Sequence, residues 1–225
     1  MKTVVVAMLA VAGSAAADID RSGYTIYSAT GSAIDGGVVS ERGIAGPVYS
    51  NQTSDVAGFF SIGSGPADGD GDVQVINFDD YTSIAPGGGF LDEFGFIGGV
   101  DVDGGVVFFD IFDTGGVFVD GFGVSLASAG NFIYTINITN NDVAFPESGI
   151  VQMSVDDDGA FGPAANGTWF LTADAATIGD NGAGAGFTGP GGEDLHHTFE
   201  LVAIPAPASA MLLGLGGLAA VRRRR

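Results

Sequence analysis

The stretch "DGDGDVQVINFD" sets Asp68, Asp70 and Asp72 at alternate positions of a glycine-rich turn, with Asp79 closing the segment. These aspartates stand at positions 1, 3, 5 and 12 of a potential calcium loop, where hard carboxylate oxygens converge on one Ca²⁺. A true EF-hand does not fit. Val73 stands where the sharp turn needs glycine, Asp79 stands where a bidentate Glu is usual, and the residues after Val73 read as a strand. Two readings are left, a calcium site on the loop of a β-fold or a solvated acidic turn. The turn is the simpler, because Asp-Gly is common turn chemistry. "DVDGG", with Asp101 and Asp103, and "DDDG", Asp156 to Gly159, raise the same choice.

Other chemistry is sparse. His196 and His197 are the two imidazoles, and neighbours on a strand point to opposite faces, so both cannot easily serve one metal. No G-x-S-x-G elbow is present, and a chain without cysteine has no thiol nucleophile. The five glutamates, Glu41, Glu93, Glu147, Glu193 and Glu200, stand in no recognisable glycosidase motif. Trp169 beside Phe170 reads first as core and second as a sugar-stacking platform.

Strands must position these groups. "FIYTINIT" alternates strictly, with Phe132, Tyr134, Ile136 and Ile138 on one face. "VVFFDIF" is apolar on both faces, which predicts a central strand. Similar runs are "YTIYSA", "GFFSI", "DVQVINF", "EFGFIGG", "VFVDGFGVSL", "IVQMSV", "TWFLTA" and "TFELVAI", with turn signals such as "DTGG", "SAGN" and "PGGG" between them. About ten strands at hairpin spacing predict an all-β fold, an antiparallel β-sandwich of jelly-roll-like or immunoglobulin-like type. Gly179 to Asp194, rich in glycine, reads as a long loop before the last strand.

The two ends differ from the body. Residues 1–17 combine Lys2, an apolar stretch from Val4 to Ala12 and the small-residue close "GSAAA", the pattern of a secretory signal peptide. The body, 18–203, would then begin near Asp18. Between Asp18 and Ile204 two basic residues, Arg21 and Arg42, face 27 acidic ones, a formal charge of −25. That balance makes nucleic acid and acidic lipid poor partners on electrostatic grounds, and no nucleic acid is expected to bind. The absence of cysteine means that an exported body must be held by its core rather than by disulfides.

Residues 204–225 begin with Pro205-Ala206-Pro207, continue without a charge to Val221 and close on Arg222, Arg223, Arg224 and Arg225. As a helix, Ala206 to Val221 spans roughly 24 Å against a hydrocarbon core of about 30 Å, enough for transient membrane association. The arginines would stay cytoplasmic, leaving the body outside. A proline motif, a short transmembrane helix and a terminal arginine cluster, in that order, resemble the PEP-CTERM sorting signal, with Pro-Ala-Pro in place of the usual Pro-Glu-Pro. "DEFGFIGGVDVDGGVVFFDIFD" and "GTWFLTADAATIGDNG" are also similar to segments in the bodies of such proteins. The resemblance implies export in an envelope-bearing bacterium with an extracellular polymer layer, and an exosortase-type membrane protease as partner.

The expectation is therefore a non-enzymatic protein of the cell surface or extracellular matrix, held in the inner membrane during sorting. The alternative is a carbohydrate-binding sandwich that grips extracellular polysaccharide through Ca²⁺ on Asp68, Asp70 and Asp72, with Trp169 beneath the sugar.

Overall fold

Alternating apolar residues punctuated by Gly, Asp and Asn leave the chain little choice but short strands and tight turns. The computed structural model describes residues 19–32, 46–53, 55–64, 74–138, 142–182, 187–188 and 192–204. In chain order the strands are β1 (Ile26–Ala29), β2 (Gly46–Ser50), β3 (Gly58–Ser64), β4 (Gln74–Val75), β5 (Asn77–Thr82), β6 (Gly89–Val100), β7 (Val106–Asp113) and β8 (Phe118–Leu126). They continue as β9 (Gly130–Asn137), β10 (Ala144–Phe145), β11 (Ser148–Val155), β12 (Gly167–Thr172), β13 (Asp180–Asn181), β14 (Phe187–Thr188), β15 (Asp194–His197) and β16 (Phe199–Ala203). One turn of 3₁₀ helix, Arg21–Gly23, precedes β1.

Two sheets result. The first runs β1-β8-β7-β11-β5-β13, and the second follows β14-β15-β12-β6-β16-β2, with β9 and β10 paired to β6 and β3 to β12. Pairing is antiparallel except at one edge, where β1 lies parallel to β8. The all-β, two-sheet architecture is that of a β-sandwich. No helix among the described residues is long and apolar enough to cross a membrane. The expected terminal helix, with Pro205, Ala206, Pro207 and Arg222 to Arg225, lies outside the described residues.

The sheets meet across an aromatic core. Phe109 on β7 packs against Phe94 (ring centroids 4.5 Å apart) and Phe96 (4.9 Å) on β6, and meets Trp169 on β12 edge-on at 6.0 Å. Tyr134, Ile136 and Ile138 of the alternating run are buried as a set, and Phe132 packs on the core's margin.

Strand β7 is central, between β8 and β11, and the reason for its two apolar faces is visible. Val107, Phe109 and Ile111 enter the main core. On the opposite face, Tyr24 and Phe161 meet Phe108 edge-on, and Phe118 meets Phe112 edge-on, giving the sheet a small second layer. Within that layer Asp110 is fully buried. It accepts hydrogen bonds from Arg21 Nη2 (2.7 Å), Tyr24 Oη (2.6 Å) and Gln152 Nε2 (3.2 Å), while the Arg21 guanidinium stacks over the Phe108 ring at 4.9 Å.

Turn chemistry fixes the hairpins. Asp113 Oδ1 accepts the backbone N–H groups of Gly115 and Val117, and Gly116 takes a positive φ of 77°, which closes β7 onto β8. A Cβ at Gly99 would run into the carbonyl oxygen of Gly130, so that glycine lets β6 and β9 pair to their ends. The stretch expected as a loop, 179–194, contributes β13 and β14 and runs into β15. Strand β2, at the edge of its sheet, and strand β15, between β14 and β12, have no apolar alternation in "GPVYS" and "DLHH" to announce them.

Candidate functional site

Strand β5, "NFDDYT", buries alternate residues: Asn77, Asp79 and Tyr81 face inward. An acid thus occupies a position that strand periodicity reserves for an apolar side chain. Across the sandwich, β15 ends in His196 and His197, both buried. The β15–β16 connection is pinned on two sides. Asn51 donates from Nδ2 to the His197 carbonyl (2.8 Å) and accepts the Phe199 N–H (2.8 Å), and Trp169 Nε1 donates to the Thr198 carbonyl (3.0 Å).

This scaffold brings the first sheet's acids to the second sheet's histidines. Asp79 Oδ1 lies 3.0 Å from His196 Nδ1, and Asp79 Oδ2 accepts the backbone N–H of His197. Asp80, the next residue of β5, completes a group in which one ligand atom from each of Asp79, Asp80 and His196 lies within 4.8 Å of the others. The Asp80 carboxylate rests over Gly182, where any Cβ would displace it. His197 turns the other way and stacks on Trp169, with ring centroids 4.2 Å apart and planes 17° from parallel.

Burial governs the electrostatics. It lifts the Asp79 carboxyl to about 6, although the hydrogen bond and charge of His196 pull in the other direction. Burial also acts to lower His196, but the hydrogen bond its Nδ1 makes to the Asp79 carboxylate and the charges of Asp79, Asp80 and Asp194 outweigh it, so its affinity for a proton rises. His197, enclosed by aromatic rings, is pushed down to about 3 by desolvation and is neutral at ordinary pH. Tyr49, which donates to Asn181 Oδ1 at 2.9 Å, is held far above the usual phenol range by burial and by Asp79, Asp80 and Asp180. A carboxylate–imidazole pair of this kind can hold a proton between the sheets, orient the imidazole, or ligate a cation.

Of the acids singled out in the sequence, Asp68, Asp70 and Asp72 lie outside the described residues, and Asp79 faces the interior between the sheets. The other acidic loops are turns held by their own side chains. Asp101 accepts the Asn166 N–H (2.8 Å) and Nδ2 (2.9 Å), and Asp103 accepts the Ala129 N–H (2.6 Å). Asp156 accepts three backbone N–H groups, from Ala160 (2.9 Å), Phe161 (2.8 Å) and Gly162 (2.7 Å). Trp169 is fully buried, which removes the stacking platform from the carbohydrate-binding alternative.

Sequence reasoning did not join Asp79 and Asp80 to His196. The available signal was twin aspartates inside an otherwise strand-like run, in a chain with only two histidines. Compared with protein-family models, curated proteins and solved structures, the chain matches none.

Proposed function

We propose that the chain is an exported, non-enzymatic protein of the cell surface or extracellular matrix. Its body is a jelly-roll-like or immunoglobulin-like sandwich. In this reading residues 1–17 direct export, and residues 204–225 hold the precursor in the inner membrane until an exosortase-type protease processes it. The observation that carries the proposal is the ordered tail: Pro205-Ala206-Pro207, an uncharged run to Val221, then Arg222 to Arg225.

The body's chemistry is consistent with a structural role. At Asp113 and Asp156, acids accept the chain's own backbone N–H groups and hold its turns. With 27 acidic residues against two basic ones between Asp18 and Ile204, neighbouring copies repel one another unless salt or divalent cations intervene. Such a surface suits a hydrated polymer layer outside the cell.

The test is a full-length precursor in which Arg222 to Arg225 are replaced by serines, expressed in a host that carries the sorting protease. The proposal expects the native precursor to pass through the inner membrane and be shortened, and the serine variant to escape both retention and shortening. Identical distributions and identical masses for the two precursors would overturn it.

A further inference from the structure

We propose that Asp79, Asp80 and His196 form a binding site for one divalent first-row transition ion, of which Zn²⁺ is the probe, and that the ion clips the two sheets together. The three residues offer ligand atoms within 4.8 Å of one another, and the group spans both sheets: Asp79 and Asp80 on β5, His196 on β15. Two ligands about 2.1 Å from a tetrahedral ion lie roughly 3.4 Å apart. His196 Nδ1 and Asp79 Oδ1 are 3.0 Å apart. All three ligand atoms already lie within 4.8 Å of one another, so side-chain adjustments of at most about 1.5 Å bring the set to that spacing.

Charge argues in the same direction. Asp79 is fully buried and Asp80 half-buried, Asp180 lies on β13 paired to β5, and Asp194 lies on β15 with His196. Arg21 is the only lysine or arginine among the described residues, and it is committed to Asp110. His196 pairs with Asp79 through Nδ1. A divalent ion bound among these carboxylates would be held by their charge as well as by their geometry.

The donor set chooses the class of ion. Ca²⁺ takes six to eight oxygens and has no use for imidazole, whereas a mixed nitrogen and oxygen set suits Zn²⁺, Co²⁺ or Mn²⁺, with water completing the shell. The site therefore differs from the calcium loop expected at Asp68, Asp70 and Asp72. It also has a structural rationale. The chain has no cysteine, and a bond between residues 79 and 196 closes a loop of more than a hundred residues, the span over which a cross-link restricts the unfolded chain most. The inference stands independently of the sorting proposal, since it depends only on the folded body.

The experiment uses the full chain, stripped with chelator and dialysed against Zn²⁺, with Ca²⁺ in parallel. Bound metal is counted by mass spectrometry and stability is followed by thermal unfolding. The expected result is one Zn²⁺ per chain, a rise in Tm of several degrees, and no comparable rise with Ca²⁺. Asp80→Asn, at a half-buried position, is expected to fold and to weaken Zn²⁺ binding at least tenfold. Replacing Zn²⁺ with Co²⁺ adds a second readout, a visible absorption band that His196→Gln abolishes or shifts. The proposal is overturned by the absence of stoichiometric Zn²⁺, by binding unchanged in Asp80→Asn, or by equal stabilisation from Ca²⁺. Each of the last two results would assign the metal to scattered surface acids.

Discussion

Raising the pH tests the packing of the whole sandwich at once, because all five tyrosines of the chain (Tyr24, Tyr27, Tyr49, Tyr81 and Tyr134) are held above the ordinary phenol value of 10.0. Burial is the main cause in each case. Tyr27 and Tyr134 are raised to about 12, and Tyr24, Tyr49 and Tyr81 go higher. A folded-state value above the unfolded one contributes stability that is complete below about pH 10 and is lost as the pH rises toward the folded value. At about pH 11 an unfolded tyrosine gains roughly 1.4 kcal/mol by ionising, while a folded one two pH units higher gains almost nothing. The three most enclosed rings, Tyr49, Tyr81 and Tyr134, then cost the fold about 4 kcal/mol together, and Tyr24 and Tyr27, more open to solvent, add less. That is comparable to the entire stability of an ordinary domain, about 5–15 kcal/mol. The body has no lysine, so the tyrosines dominate this alkaline limb. The assay follows phenolate absorbance and far-ultraviolet circular dichroism together while the pH is stepped upward. The two signals are expected to move as one cooperative transition above about pH 10.5, reversing on return. Phenolate appearing gradually around pH 10 while the sheet signal stays native would refute the reasoning, since the rings would then be open to water.

Arg21→Met removes the charged donor from a fully buried Asp110 and the cation from the Phe108 ring, and is expected to cost about 2–4 kcal/mol, a fall in Tm of roughly 5–15 °C by thermal unfolding. A change under about 0.5 kcal/mol would show that Tyr24 and Gln152 satisfy Asp110 alone. Asp156→Ala strands three backbone donors and is expected to destabilise by about 2–3 kcal/mol, measured by urea unfolding, with no rescue by Ca²⁺. Trp169, the sole tryptophan, is expected to fluoresce as a fully shielded indole, inaccessible to acrylamide and unmoved by soluble matrix polysaccharide. Quenching comparable to that of free tryptophan would place it at the surface.

The architecture was legible where residue pattern and burial speak the same language. The period-2 run at β9 and the two-faced apolar run at β7 follow from side-chain alternation, and the Asp-Gly turns follow from φ and from carboxylates that cap nearby N–H groups. The parallel pairing of β1 with β8 was not legible. Partner choice between distant strands depends on long-range packing, here the second layer built by Tyr24 and Phe118, which stack with ring centroids 6.5 Å apart. The group at Asp79 escaped for a related reason. Local spacing tied Asp79 to the aspartates before it, whereas the fold ties it to His196, 117 residues away. Neighbouring side chains on an ideal strand also point apart, yet Asp79 and Asp80 in the middle of β5 both come within reach of His196 near the end of β15.

The central claim, that this acidic sandwich is exported and trimmed at both ends, is tested most directly by the intact mass of the protein recovered from its native envelope and culture medium. The account predicts a species that begins near Asp18 and ends between Pro205 and Ala210, found outside the cytoplasm. A full-length species in the cytoplasm, with Met1 and Arg222 to Arg225 still attached, would contradict it.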